Sequence, residues 1–124
     1  MIDSIGIDLV EVMRMRRIVE RHGDRFLNRV LGPQELEAYR IRHDRHPFLA
    51  GRFAAKEAAI KALGKYIVQR PPFRHIEIVN DNTGQPRLQF AGDLAARLAH
   101  LTSQVSIAHE RSHAVAVVVL WEKP

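Results

Sequence analysis

The stretch from Leu49 to Gly64, LAGRFAAKEAAIKALG, restricts the possible folds more than any other part of the chain. It contains no Pro, and Ile60 is its one β-branched residue, whereas Ala and Leu, the strongest helix formers, are abundant. The spacing therefore predicts a helix over 49–64. At about 100° per residue, Leu49, Phe53, Ile60 and Leu63 form an apolar stripe, and Ala55, Ala58, Ala59 and Ala62 form a small-residue face. Such a helix is packed on several sides rather than lying on a surface. Its four charges, Arg52, Lys56, Glu57 and Lys61, then need partners, because unpaired charges on a largely buried helix are costly. Arg52 and Lys56 share one face, Glu57 and Lys61 another.

With 124 residues around that helix, the whole chain (1–124) reads as a single domain with one core. The formal net charge of +5 and a pI near 10.2 predict an anionic partner. There are no cysteines, so thiolate metal sites and disulfides are excluded and a cytosolic location is expected. The opening MIDSIGIDLVEV has no basic segment followed by a long apolar run, so no signal peptide is expected. The longest apolar stretch, Ala114 to Trp121, suits a buried strand and is too short to span a membrane.

Ile5, Ile7 and Leu9 alternate with Gly6, Asp8 and Val10, which predicts an opening strand with Asp8 at its end, since Asp is disfavoured inside strands. Asp8 with Glu11 also reads as a capping-box start for a following helix. That helix is expected from about Leu9 to Arg21, with Val12, Met15 and Val19 on one side and Arg14, Arg17 and Arg21 on another. Arg25 joins the basic face if the helix continues, although Gly23 is expected to break it. Few acids lie nearby to neutralise this face, which fits an acidic partner. Pro33 suits the start of a helix through Arg42, and His43–Pro47 reads as a polar connection. Residues 65–74, with Pro71-Pro72, read as a loop. Ile76/Ile78 and Leu88/Phe90 flank the turn Asp81-Asn82-Thr83-Gly84 as a hairpin. A short helix follows, capped by Asp93 and carrying Leu94, Leu98 and Leu101. A strand through Val105, Ile107 and His109, a polar turn at 110–113 and the strand 114–121 complete the chain. The expected class is α+β: a small antiparallel sheet packed with a long central helix and several shorter helices.

Most chemistry-bearing patterns are missing. The seven histidines have no zinc-signature spacing, there is no phosphate-binding glycine loop, and there is no nucleophile elbow. Aromatic residues are only 6% and are not interleaved with the basic ones as a base-stacking platform requires, so nucleic acid is not the expected partner. What remains is Asp8, Glu57 and Lys61. Two carboxylates and a lysine suit a Mg²⁺ ion held by oxygens together with a phosphate group. Read singly, Glu57 and Lys61 are also an ordinary i,i+4 pair.

Four segments then resemble one family. Gly6-Ile-Asp8-Leu-Val-Glu11 and Arg52-Phe-Ala-Ala-Lys56-Glu57-Ala-Ala-Ile-Lys61-Ala62 are similar to the two motifs of holo-[acyl-carrier-protein] synthases, the small 4′-phosphopantetheinyl transferases. Val105-Ser106-Ile-Ala-His109-Glu110 and Thr83-Gly84-Gln-Pro86-Arg resemble two further segments of that family, in the same order. The resemblance implies transfer of the phosphopantetheine arm of CoA to a serine of apo acyl-carrier protein, with 3′,5′-ADP leaving. It implies Asp8 and Glu57 as Mg²⁺ ligands and Lys61 at the pyrophosphate. Lys56, Arg52 and His109 are implied near CoA, the last two toward its 3′-phosphate. Arg14, Arg17, Arg21 and Arg25 are implied to face the carrier protein, and a homotrimer is implied, with active sites between protomers. The general base stays open among a metal-bound water, Glu57 and Asp8. This chain has Gly64-Lys65-Tyr66 where the family continues Gly-Thr-Gly, so a different loop path is expected. It also has Ala108 where the family usually carries a hydroxyl. The competing readings are a basic, non-enzymatic nucleic-acid-binding module and a CoA-binding relative with reduced catalysis.

Overall fold

The computed structural model describes residues 1–124. The order is β1 (Ser4–Glu11), α1 (Val12–His22), α2 (Asp24–Val30), α3 (Pro33–Arg40), α4 (Arg45–Ala62), β2 (Ile76–Asn80), β3 (Pro86–Phe90), α5 (Asp93–Arg97), β4 (Leu101–His109) and β5 (His113–Glu122). Short 3₁₀ turns occupy Leu63–Lys65 and Phe73–His75. The α+β class is as expected, with the antiparallel strands in two groups. A three-stranded sheet has the order β1-β5-β4, and β2-β3 stands apart as a two-stranded hairpin. No helix is long and apolar enough to cross a membrane.

The central helix α4 lies on the inner face of the three-stranded sheet. Ala50, Ala54, Ala55, Ala58, Ala59 and Ala62 are all buried there, as are Val10, Ala114, Ala116, Val118 and Leu120 of the strands. Small side chains let helix and sheet approach closely, and Gly6 marks the closest point. A Cβ at Gly6 would stand 1.9 Å from the Ala58 carbonyl oxygen and 2.9 Å from the Ala62 nitrogen. The main element beside the functional residues is thus fixed by backbone-to-backbone contact.

Several boundaries differ from the sequence expectations. The first strand extends through Glu11, and α1 begins at Val12 rather than Leu9. Pairing of Leu9, Val10 and Glu11 with Val115, Ala114 and His113 overrides the local helical pattern. Asp8 consequently sits within β1, opposite Ala116, and not at the strand's end. Its capping role is absent as well: Glu11 occupies the N-cap of α1, without a side-chain cap bond. Gly23, at φ 55°, does end α1 as expected, so Arg25 is carried by α2. The central helix starts at Arg45, four residues early, because Pro47 falls in its first turn, where a missing N–H costs nothing. Leu101 joins β4 instead of the short helix, and Asp93 follows the Gly92 cap of α5. At Gly64-Lys65-Tyr66 the chain makes a 3₁₀ turn, with Tyr66 at φ −107°. No positive φ is used there.

Candidate active site

Alternation along β1 points Gly6, Asp8 and Val10 toward α4, and Ile5, Ile7 and Leu9 away from it. Lys61 reaches back across this junction. Its ammonium donates to Asp8 Oδ1 at 3.1 Å and to the Ile7 carbonyl at 2.9 Å. Glu57 lies one helical turn before Lys61, on the same side. Its Oε1 accepts from Arg70 Nη2 at 2.6 Å. The Asp8 and Glu57 side chains are 19% and 21% exposed, so each carboxylate is largely sheltered but not sealed. Strand and helix thereby bring Asp8, Glu57 and Lys61 into one neighbourhood, and both carboxylates hold a cationic group.

That donor set fits a Mg²⁺ ion. Nowhere does the chain gather three or more His, Cys, Asp or Glu side chains as a metal cage. Mg²⁺ needs none, since it commonly takes one or two protein carboxylates and completes its shell with water and substrate phosphate.

Lys56 departs from the ligand-facing position expected of it. Its side chain is 0% exposed, and its ammonium donates to Glu35 Oε1 at 2.7 Å and to the carbonyls of Phe73 and Ile76. Three donors meet three acceptors, which leaves none for a phosphate. Glu35 is equally committed, accepting from the backbone N–H of Gly32 and of Ile78. Burial pulls the Lys56 ammonium below, and pushes the Glu35 carboxyl above, its ordinary value, each partly offset by the other's charge. This pair ties α3, α4 and β2 together.

Arg52 stands elsewhere on α4. Its guanidinium lies 4.5 Å from the centre of the Phe48 ring, and Nη2 donates to Asn80 Oδ1 at 3.3 Å. Its Nε is buried without a partner, one of two such side-chain atoms in the protein, the other being the Tyr66 hydroxyl. Burial lowers the pKa of this guanidinium. Arg42 covers Phe48 as well, at 4.6 Å, and holds Asp44 in a bidentate pair that keeps its carboxyl below the usual range. The charge of His109, from the exposed end of β4, adds to that lowering. Arg52 and His109 thus border one basic cluster. From Arg52 to Lys61 along α4 is about 13 Å, at 1.5 Å per residue.

Arg14, Arg17, Arg21 and Arg25 are all exposed and in no ion pair; Arg16 is the α1 arginine that pairs, with Glu20. Arg14 and Arg25 face an open cavity of about 720 Å³ between α1, α2 and the loop before β2. Phe26, Phe53 and Phe73 line it, and Arg29, Arg70 and Arg74 add further charge. Arg17 and Arg21 lie on an adjoining shoulder with Glu20 and His22. The sequence reading missed Arg29, Arg70 and Arg74. Arg29 follows Arg25 by four on α2 and was legible as its helical neighbour; the two loop arginines carry no local signal.

Comparison with known proteins identifies the family. The family model described as the 4′-phosphopantetheinyl transferase superfamily matches residues 4–118. A holo-[acyl-carrier-protein] synthase of Halorhodospira halophila is 46% identical over 123 residues, covering 97% of this chain and 98% of that one. The crystal structure of the holo-[acyl-carrier-protein] synthase from Neisseria meningitidis superposes with a TM-score of 0.89 at 34% identity, covering 98% of this chain and 100% of that one. An ACPS–CoA complex from Chronobacterium ammoniagenes gives a TM-score of 0.82 at 33% identity, with 98% of each chain covered. With the family model matching residues 4–118 and relatives matched along almost their full length, the chain belongs to the 4′-phosphopantetheinyl transferase superfamily, in its holo-[acyl-carrier-protein] synthase branch.

Proposed function

We propose that this chain transfers the 4′-phosphopantetheine arm of CoA to a serine of an apo acyl-carrier protein, using Mg²⁺ held by Asp8 and Glu57. The serine hydroxyl gives up its proton to a base of the site or to water, its oxygen attacks the pantetheine-side phosphorus, the bond to the bridging oxygen breaks, and adenosine 3′,5′-bisphosphate leaves. The observation that carries the metal assignment is the pair of sheltered carboxylates at the β1–α4 crossing, each already holding a positive group. When bound, Mg²⁺ supplies charge neutralisation at the diphosphate and acidifies a coordinated water.

The chain's own residues do the rest. Lys61, anchored to Asp8 and the Ile7 carbonyl, presents its ammonium to the pyrophosphate beside the two carboxylates. Arg52, with its orphaned buried Nε, and His109 take the 3′-phosphate end of CoA. The unpaired Arg14, Arg17, Arg21 and Arg25 dock the acidic face of the carrier and speed its encounter. We place the reaction in the cytoplasm, since a chain without cysteine needs no oxidising compartment.

The active assembly in this reading is a homotrimer. Ile5, Ile7 and Leu9 of β1 are 65%, 57% and 64% exposed on the outer face of the three-stranded sheet. An apolar sheet face of this kind marks an interface. A site between protomers would let the Arg52 and His109 cluster of one chain serve CoA held at Lys61 of another.

Incubation of the protein with CoA, Mg²⁺ and apo carrier protein tests the reading. Mass spectrometry should find the carrier heavier by one phosphopantetheine arm. Asp8→Asn and Glu57→Gln should each abolish that gain while leaving the far-ultraviolet circular dichroism unchanged. Full transfer by the double variant would overturn the metal assignment. Salt-sensitive nucleic-acid binding indifferent to Glu57, with no transfer, would favour a basic binding module.

A further inference from the structure

Arg70 lies in the loop between α4 and β2, outside the four motif segments that carry the resemblance in the sequence. Its guanidinium meets Glu57 Oε1 at 2.6 Å and stacks over the Phe73 ring at 4.9 Å. Pro71 follows directly and confines Arg70 to extended backbone conformations, so the side chain is presented to α4 from a restricted base. The side chain is still 54% exposed and borders the cavity that Arg14 and Arg25 face. It is therefore held at Glu57 by one short contact, with open space beside it. A Mg²⁺ ion on Glu57 needs a carboxylate oxygen at about 2.0–2.1 Å, and two cations on one carboxylate repel each other.

We infer that Arg70 is the resident counter-cation of Glu57 in the ligand-free enzyme, and that the metal must displace it. The inference rests on the assignment of Glu57 as a metal ligand. Arg70 keeps the carboxylate aimed and compensated while no metal is bound. A diphosphate arriving with the metal offers the released guanidinium better acceptors, because planar guanidinium groups pair bidentately with phosphate oxygens. Arg70 is thus a positioning residue that makes metal binding depend on CoA. By linkage, the same factor by which CoA tightens the metal is the factor by which the metal tightens CoA.

Titration with Mn²⁺, followed by the loss of its free electron paramagnetic resonance signal, tests this without any turnover. Wild type, Arg70→Gln and Arg70→Lys are compared with and without CoA, and Asp8→Asn and Glu57→Gln provide the blanks for metal bound by CoA itself. Without CoA, Arg70→Gln should bind Mn²⁺ about two- to fivefold more tightly than wild type, the range expected for losing one partly exposed competing charge. The further tightening caused by CoA should shrink by a similar factor, and Arg70→Lys should restore much of the wild-type behaviour. Unchanged or weaker Mn²⁺ binding by Arg70→Gln, in a protein whose binding still requires Asp8 and Glu57, would overturn the role of Arg70 alone. Mn²⁺ binding that ignores Asp8 and Glu57 would overturn the metal assignment, and this inference with it.

Discussion

Lys56 and Lys61 are five residues apart on one helix, and their surroundings assign them opposite work. Lys56 is sealed in, with Glu35 and two backbone carbonyls taking its three donors. Removing it strands a buried carboxylate, and breaking a buried pair in this way costs about 3–5 kcal/mol. Lys56→Met should therefore lower the urea midpoint sharply. Lys61, 54% exposed, should cost under about 1 kcal/mol when replaced by Met, while transfer to the carrier falls by orders of magnitude. Equal stability losses in the two variants would contradict this division. The sequence showed both lysines on an apolar helix, yet could not separate them, because Glu35 lies 21 positions before Lys56 on another helix. Periodicity reports which face a residue occupies, and says nothing of what a distant segment brings to that face. Arg70 was illegible for the same reason, whereas Asp8, Glu57 and Lys61 could be read because their residue types recur in a recognisable spacing.

Among elements, the crossing of β1 and α4 decides whether the two carboxylates meet. Both were visible beforehand, the strand from its alternation and the helix from its Ala-rich face. What the alternation could not supply was the length of β1. Local sequence favours a helix from Leu9, and only the pairing of Leu9, Val10 and Glu11 with Val115, Ala114 and His113, about a hundred residues later, extends the strand past Asp8. An inward Asp is tolerated mid-strand because Lys61 meets it. Gly6 is the point where this geometry is most fragile. Gly6→Ala would place a methyl group 1.9 Å from the Ala58 oxygen, so strand and helix must separate. Overpacking of this kind typically costs about 1–3 kcal/mol. Asp8 sits two residues along the same strand and must move with it. Gly6→Ala should thus weaken Mn²⁺ binding in the folded protein as well as lower its melting temperature; a variant destabilised but with unaltered metal affinity would show that the crossing does not set the site.

At the scale of the whole molecule, the β1–β5 part of the three-stranded sheet is apolar on both faces, although α4 covers only one. The register sets Ile5 against Val119, Ile7 against Val117 and Leu9 against Val115 across the outer face. Toward β4 that face turns polar, with Thr102, Gln104 and Ser106 beside Trp121, Val119 and Val117. Antiparallel sheets facing water usually alternate apolar with polar residues, so the unbroken patch over β1 and β5 calls for another protein surface. A cyclic trimer built on it would unite the Asp8–Glu57–Lys61 neighbourhood of one protomer with the Arg52–His109 cluster of the next, bridging the span of about 13 Å that separates Arg52 from Lys61 within one helix. Mixing two inactive variants tests that union directly. Glu57→Gln lacks the metal side of its own site, and Arg52→Ala combined with His109→Ala lacks the phosphate side. After co-refolding in equal amounts, random assembly gives about one quarter of the sites an intact metal side from one chain and an intact phosphate side from its neighbour. Transfer activity should recover toward that fraction, and Ile7→Glu, which puts a charge on the outer face, should abolish the recovery and yield monomers in sedimentation. A mixture as inactive as its parents, from chains that do assemble, would place each site within a single protomer.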